Sequence, residues 1–195
     1  MTERWPADPD HIRQTVARLR EGAIVSFPTD TLYAVASRAL DPAAVSRLYR
    51  VKRRPGGQPM IWLVGEAPVV EAYAVVSATA RDLMTRFWPG PLTIVLPARP
   101  TLAEPTLAVR APNHPVALQL LAELGEPVAS SSANKGGEAP PIDADAVIAG
   151  LGDDVDIVVD GGTCQLGQAS TILDLTADVP RILRQGAIAA SALLP

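Results

Sequence analysis

Short apolar runs alternate with amphipathic segments along nearly the whole chain, and this alternation limits the possible folds more than any other feature. Residues 9–21 place Ile12, Val16 and Leu19 at helical spacing before Gly22, which indicates a helix that ends at the glycine. The apolar residues 23–27 follow directly and are typical of a buried strand. We expect further helices at 42–52, 68–75, 77–87, 115–124 and 144–151, and further strands at 60–64, 92–96, 107–109, 127–129, 155–159, 170–175 and 181–183.

This order of elements predicts one α/β (α+β) domain over residues 1–195, with a core from about 9 to 188 and about seven strands flanked by helices. With 195 residues, the chain is long enough to bury a sizeable core. The polar clusters of the sequence follow predicted strands. Because open α/β sheets bind ligands at strand ends, we expect the functional site there.

The charge distribution argues against a general nucleic-acid binder. The net charge is −4, yet residues 1–60 contain ten basic and six acidic residues. One basic region of this kind suits a single compact anion better than the long backbone of a nucleic acid. The single Cys164 excludes a disulfide framework and a multi-cysteine zinc site. The chain has no apolar run of membrane-helix length and no signal peptide, so we expect a cytoplasmic protein without a membrane partner.

A rigid polar corner follows the first predicted strand. Residues 27–35 read FPTDTLYAV, so Pro28 begins a turn that carries two hydroxyls and a carboxylate, those of Thr29, Thr31 and Asp30. Polar side chains held on a stiff turn at a strand end are suited to orienting a ligand. We therefore predict that this corner is part of the site.

Five basic residues lie within residues 47–54, and the run ends at Lys52 and Arg54. A charge run of this kind is often only a solvated helix face. Lys52 and Arg54, however, stand at a predicted helix end, next to the turn Pro55-Gly56-Gly57, where the backbone can approach a ligand closely. An ammonium and a guanidinium together suit phosphate or carboxylate oxygens. We expect both side chains to be partly accessible to solvent.

Residues 130–137 read SSSANKGG, which is typical either of an ordinary turn or of a loop that wraps phosphate or ribose. The spacing of Ser132 and Lys135 matches a hydrolase nucleophile pattern, but the partner motifs of that pattern are absent. A P-loop motif is also absent. Arg110 and Arg184 follow apolar runs, so each either lies at a strand end in water or points into a polar cavity. The polar turns beside them favour the cavity.

Together these motifs resemble the YrdC-like family of L-threonylcarbamoyladenylate synthases. The resemblance covers residues 22 to 188, and each motif alone is weak, whereas seven in sequence are specific. In family order they are Pro28-Thr29-Asp30-Thr31-Leu32-Tyr33, Lys52-x-Arg54-Pro55, Pro89-Gly90-Pro91-Leu92-Thr93, Thr106-x-x-x-Arg110, Ser132-Ala133-Asn134, Ser170-Thr171 and Arg184-x-Gly186-Ala187-Ile188. The chain differs from the usual family pattern at Ala34, Leu63 and Gly136.

The resemblance implies a twisted mixed sheet around a large, concave, positively lined cavity. It also implies a nucleotidyltransferase reaction, in which L-threonine, bicarbonate or CO2, and ATP give threonylcarbamoyl-AMP and pyrophosphate. This is the first step of threonylcarbamoyladenosine (t6A) modification of tRNA. Mg2+ would be held mainly by the ATP phosphates, without a metal site in the protein. Downstream tRNA threonylcarbamoyltransferase proteins would take the product, and direct tRNA binding would be weak or absent.

By position, the resemblance implies three sets of site residues. Threonine would be bound by Thr31, Leu63, Arg110, Ser130 and Ser170. ATP would be bound by Arg54, Gln58, Thr106, Ser132, Pro140 and Arg184. Catalysis would rest on Lys52, Arg54, Ser132 and Asn134.

Two other functions stay open at this point. One is a family-like protein that binds a nucleotide or RNA without turnover. The other is a related ATP-dependent enzyme that carbamoylates a different amine.

Overall fold

A single mixed sheet of ten strands organises the part of the chain that this computed structural model describes, residues 1–53 and 59–193. In chain order the strands are β1 Glu3–Pro6, β2 Val25–Pro28, β3 Tyr33–Arg38, β4 Ile61–Leu63, β5 Leu92–Pro97, β6 Thr106–Arg110, β7 Val128–Ser132, β8 Ile157–Asp160, β9 Thr171–Asp174 and β10 Arg181–Arg184. Their order across the sheet is β1-β8-β2-β3-β7-β4-β6-β5-β9-β10.

The described residues form five α-helices: α1 Pro9–Arg20, α2 Pro42–Val51, α3 Ala78–Phe87, α4 Pro115–Leu124 and α5 Ala144–Leu151. Local sequence explains their ends. The Asp8 carboxylate accepts hydrogen bonds from the backbone N–H groups of Asp10 and His11, both at 3.0 Å, and so caps α1. Gly125, with φ of +72°, ends α4 in the left-handed conformation that glycine adopts without strain. The helix predicted over 68–75 is a 3-10 helix at Ala67–Ala72.

The predicted single α/β domain with a mixed sheet is confirmed, but the predicted count of about seven strands is wrong. Two strands were not predicted, β1 and β3. β1 is a short and largely exposed strand at the edge of the described sheet, where it pairs with β8, so it carries no apolar run. β3 is buried on both faces for most of its length, so it lacks the alternation of polar and apolar residues that marks a half-exposed strand.

The core lies on both faces of the sheet. On β3, Ala34 and Ala36 pack in a cluster with residues of α1 and α4, whereas Tyr33 and Val35 pack in a second cluster with residues of α2 and α5. A third cluster joins α3 to β5, β6 and β9. The helices therefore cover the sheet from two sides, as expected for alternating strands and helices.

Strand β7 passes from the core into a polar region within a few residues. Val128 packs in the first core cluster, and Ser130 and Ser132, the next residues on the same face, border a cavity. Within residues 1–53 and 59–193, none of the helices has the length and apolar character that crossing a bilayer requires.

Candidate active site

A cavity of about 400 Å³ lies on the sheet and has walls from seven neighbouring strands, β3 through β10 in sheet order. This volume lies within the range of about 300–1,000 Å³ that is usual for small-molecule sites. The charged side chains among its described lining residues are Arg110 and Arg184. The cavity is therefore positively lined, in agreement with the expectation from sequence.

The structure brings most of the predicted site residues to this cavity. Those that line it are Thr31, Leu63, Arg110, Ser130, Ser132, Pro140, Ser170 and Arg184. Lys52, Asn134 and Thr106 do not belong to its lining. Arg54 and Gln58 fall outside the described residues.

Three hydrogen bonds hold the side chain of Arg110 in place. Its Nε donates to the Gly90 carbonyl at 3.0 Å, its Nη1 to Thr31 Oγ1 at 2.8 Å, and its Nη2 to Asp30 Oδ1 at 2.5 Å. Burial lowers the pKa of the guanidinium, the Asp30 carboxylate opposes this effect, and the nearby Arg184 cation adds to it. A guanidinium has five N–H donors, so these bonds leave one donor on each terminal nitrogen.

The polar corner that precedes β3 presents Thr31 to Arg110. Thr29 Oγ1 accepts hydrogen bonds from the backbone N–H groups of Thr31 and Leu32, both at 3.2 Å, and donates to the Leu32 carbonyl at 2.7 Å. The two threonine hydroxyls lie 2.9 Å apart. Because the turn is closed by its own side chain, the Thr31 hydroxyl is held in place before any ligand arrives.

Arg184 and Ser170 form a second polar contact on the cavity wall. Arg184 donates from Nε and Nη2 to the Ser170 carbonyl, at 3.1 and 2.9 Å, and from Nη2 to Ser170 Oγ at 3.0 Å. Ser170 Oγ also lies 2.8 Å from Thr93 Oγ1, inside the sheet. A β-bulge between Ile182 and Arg184 interrupts the pairing of β10 with β9. Such a bulge redirects side chains, and both Leu183 and Arg184 border the cavity.

Lys52 lies behind residues 130–137, the serine loop, rather than in the cavity wall. Its ammonium donates to the backbone carbonyls of Ser132 and Asn134 and reaches Asn134 Oδ1 at 3.4 Å. Ser132 Oγ in turn donates to Asn134 Oδ1 at 2.6 Å. The residue is 4% exposed, so the expectation that Lys52 is accessible to solvent is wrong. The carbonyls at the end of β7 attract the ammonium inward, a contact between distant residues that the sequence pattern does not indicate.

Thr106 begins the strand that ends at Arg110. It lines a second cavity of about 410 Å³, and Pro59 and Ala108 border both cavities. Because alternate residues of a strand share a face, Thr106, Ala108 and Arg110 point to the same side of β6. Thr106 thus lies on the cavity side of the sheet but beyond the lining of the first cavity.

Asp30, Gly90 and Thr93 contact side chains of the site without lining the cavity, and the sequence assigned no individual role to any of them. Asp30 lies inside the corner motif, and its carboxylate next to two threonines was a usable signal. Gly90 contributes only its carbonyl, and Thr93 contributes a hydroxyl from within an apolar strand. Both residues lie in the motif Pro89-Gly90-Pro91-Leu92-Thr93, but this motif does not indicate which residues they contact, because both contacts depend on how distant strands are paired.

The order of motifs and the geometry of the cavity can be compared with known proteins. The model of the Sua5/YciO/YrdC family, described as telomere recombination, matches residues 17–186. The chain belongs to the Sua5/YciO/YrdC family. Within this family, a Bacillus subtilis relative named threonylcarbamoyl-AMP synthase is 37% identical over 196 residues, covering 96% of this chain and 57% of the relative.

Two further family members extend the comparison. A Chromohalobacter salexigens relative, also named threonylcarbamoyl-AMP synthase, is 37% identical over 173 residues, covering 85% of this chain and 93% of the relative. The solved structure of Pyrococcus abyssi Sua5 complexed with L-threonine has a TM-score of 0.94 and 34% identity, covering 99% of this chain and 59% of that one. The chain thus spans little more than half of the Bacillus and Pyrococcus members and nearly all of the Chromohalobacter one.

Proposed function

We propose that this family member is an L-threonylcarbamoyladenylate synthase. It forms threonylcarbamoyl-AMP and pyrophosphate from L-threonine, bicarbonate or CO2, and ATP, as the first step of t6A modification of tRNA. The observation that carries the proposal is the cavity itself. Two arginines and a set of hydroxyls face one hollow, in a fold that matches the Pyrococcus protein crystallised with L-threonine.

The amino acid is assigned to the Arg110 side of the cavity. The two remaining N–H donors of Arg110, one on each terminal nitrogen, suit the two oxygens of a carboxylate. Thr31, Ser130 and Ser170 supply hydroxyls on the surrounding wall, and Leu63 supplies an apolar surface. A fixed fork with neighbouring hydroxyls selects a small polar amino acid by its backbone carboxylate and holds its amine toward the cavity.

The nucleotide is assigned to the Arg184 side, with Ser132 and Pro140 in the wall and Thr106 farther out on β6. In the reaction, the carbamate of threonine attacks the α-phosphorus of ATP and pyrophosphate leaves. This step depends on placing the two anions in line and on offsetting their charge, so it requires no protein nucleophile. Arg184 offsets phosphate charge, while Lys52 and Asn134 hold the loop that carries Ser132. Arg54 and Gln58 keep their predicted roles in binding ATP.

Mg2+ enters the proposal with ATP. Within residues 1–53 and 59–193 there is no cluster of three His, Cys, Asp or Glu side chains that could hold a metal ion. Phosphate oxygens would therefore supply most of the ligands, which suits Mg2+ because it usually binds through phosphates and few carboxylates. The ion would neutralise part of the triphosphate charge during transfer.

The proposal also covers the surroundings of the reaction. A threonylcarbamoyl adenylate is a labile mixed anhydride, so a transferase that modifies tRNA must take it up directly after release. We place this chemistry in the cytoplasm. The net charge of −4 argues against strong direct binding of tRNA by this chain.

The test is pyrophosphate release by the purified protein, combined with mass spectrometry of the adenylate product. We expect release only when ATP, L-threonine and bicarbonate are all present, and a product with the mass of threonylcarbamoyl-AMP. Binding of ATP without pyrophosphate release would favour the nucleotide-binding alternative. A panel of amino acids in the same assay identifies the amine, and preference for one other than threonine would favour the second alternative.

A pair of arginine variants shows whether the cavity is the site of this activity. Arg184→Ala removes a cation from the cavity wall and should reduce pyrophosphate release at least tenfold at a fixed, subsaturating ATP concentration. Arg181→Ala is the matched control, because Arg181 lies on the same strand, is 73% exposed and pairs with Asp174 away from the cavity. Equal activity in the two variants would contradict the assignment of Arg184 to the nucleotide.

A further inference from the structure

Asp30 stands directly behind Arg110 and is not among the residues that line the cavity. Its Oδ1 accepts from Arg110 Nη2 at 2.5 Å and from the backbone N–H of Asn113 at 3.0 Å. Its backbone carbonyl accepts from the N–H of Leu166 at 3.0 Å. The side chain is 5% exposed. The backbone N–H groups of Asn113 and Leu166 therefore hold Asp30 in place independently of Arg110.

The carboxylate of Asp30 and the guanidinium of Arg110 form a buried ion pair. Asp30 Oδ2 is buried and has no hydrogen-bond partner among the described residues. Arg110 is 6% exposed and is the cation paired with Asp30. A buried charge is costly unless a partner compensates it, so each of these two groups stabilises the other.

The three acceptors around Arg110 come from two parts of the chain, the adjacent residues Asp30 and Thr31 and the distant Gly90. Gly90 and Thr31 approach Nε and Nη1, and Asp30 approaches Nη2. Of the three, only Asp30 is charged, so its bond is the strongest restraint on rotation of the guanidinium plane. Without it, the terminal nitrogens could turn away from the direction in which their remaining donors now point.

We infer that Asp30 is a positioning residue, which fixes the guanidinium of Arg110 in the orientation that receives the amino-acid carboxylate. This inference rests on the proposed function, because it needs a carboxylate ligand at Arg110. Asp30 touches neither the ligand nor the reacting atoms. It acts through Arg110 alone, so it should affect the use of threonine and not the use of ATP.

A purely electrostatic role predicts the opposite sign. If Asp30 only cancelled the charge of Arg110, removing its negative charge would leave the guanidinium more attractive to an anion, and threonine would bind more tightly. If Asp30 orients the fork, the same change should weaken threonine binding, because a misdirected guanidinium cannot form two parallel hydrogen bonds.

The test is a calorimetric titration of the wild type and Asp30→Asn with L-threonine, together with steady-state kinetics. We expect the dissociation constant for threonine to rise at least tenfold in Asp30→Asn, whereas the KM for ATP changes less than threefold. The matched control is Asp156→Asn. Asp156 likewise accepts from an arginine, Arg47, and from a backbone N–H, that of Ile24, but its arginine does not line the cavity, whereas Arg110 does.

A double-variant comparison shows whether Asp30 acts through Arg110. In an Arg110→Lys background, the change at Asp30 should weaken threonine binding little further, since the fork to be oriented is already absent. Should Asp30→Asn fail to fold, Asp30→Glu keeps the charge and displaces it by one methylene, so an orienting role predicts weaker threonine binding and a purely electrostatic role predicts little change.

Several outcomes would overturn the inference. These are unchanged or tighter threonine binding in the Asp30 variant, equal losses for threonine and ATP, or an equal loss in Asp156→Asn. Failure of the wild type to bind threonine would instead refute the proposed function. The two failures are therefore distinguishable.

Discussion

Replacing Arg110 by lysine keeps the positive charge of the site and removes its planar fork. The guanidinium satisfies three separate acceptors, at 3.0 Å for Gly90 O, 2.8 Å for Thr31 Oγ1 and 2.5 Å for Asp30 Oδ1. A lysine ammonium is a single point of charge and will stay with the carboxylate of Asp30. The Gly90 carbonyl and the Thr31 hydroxyl then lose their donor.

The size of the effect follows from these contacts. Two hydrogen bonds to a charged donor are lost, each worth about 1.5 kcal/mol at the low end, so the free energy of unfolding should fall by about 3 kcal/mol. A carboxylate ligand loses one of its two charge-assisted bonds, worth about 1.5–3 kcal/mol. This corresponds to a roughly ten- to hundredfold higher threonine concentration at half-saturation. The ATP requirement should change little, because the nucleotide is assigned to Arg184.

The assay is pyrophosphate release as a function of threonine at saturating ATP, below the unfolding temperature of the variant. Arg47→Lys is the control, since Arg47 makes two 2.7 Å bonds to Asp156 through both terminal nitrogens, away from the cavity. It should lose stability without a change in the threonine requirement. Wild-type threonine use by Arg110→Lys would refute the carboxylate fork.

Two further predictions concern the contact of Lys52 with the serine loop and the packing around Cys164. Lys52→Met removes an ammonium that donates to two backbone carbonyls of the serine loop, so pyrophosphate release should need at least tenfold more ATP. The control is Lys135→Met, which replaces a more exposed lysine of the serine loop itself and should resemble the wild type. Unaltered ATP use in Lys52→Met would show that Lys52 does not position Ser132. Burial raises the pKa of the Cys164 thiol to about 11, so the native protein should react with iodoacetamide at pH 8 at least tenfold more slowly than the urea-unfolded chain, as measured by mass spectrometry. Equal rates would contradict the described packing around Cys164.

The sequence indicated which polar residues lie around the cavity better than it indicated the strands of the sheet. Thr31, Ser132 and Ser170 belong to short polar motifs at strand ends. Such motifs indicate a ligand-binding region whatever the exact number of strands. β3 was missed because the strand is buried on both faces at Ala34, Val35 and Ala36, so its sequence shows no alternation of polar and apolar residues. β1 was missed because an exposed edge strand needs no apolar pattern.

Contacts between distant residues account for the remaining differences. Lys52 was predicted as an accessible cation because the sequence shows a basic run ending at a turn, but β7 brings two carbonyls to its ammonium from about 80 residues away. The pairing of Asp30 with Arg110 likewise depends on the corner and β6 meeting in space. A polar residue in the sequence shows that a partner is needed, whereas only the fold shows which partner it has.

The most direct measurement is a crystal structure with L-threonine and a non-hydrolysable ATP analogue. Both ligands should share the 400 Å³ cavity, with the threonine carboxylate within hydrogen-bond distance of both terminal nitrogens of Arg110 and the phosphates next to Arg184. Threonine bound elsewhere, or its carboxylate away from Arg110, would contradict the central claim that this cavity joins an amino acid to a nucleotide.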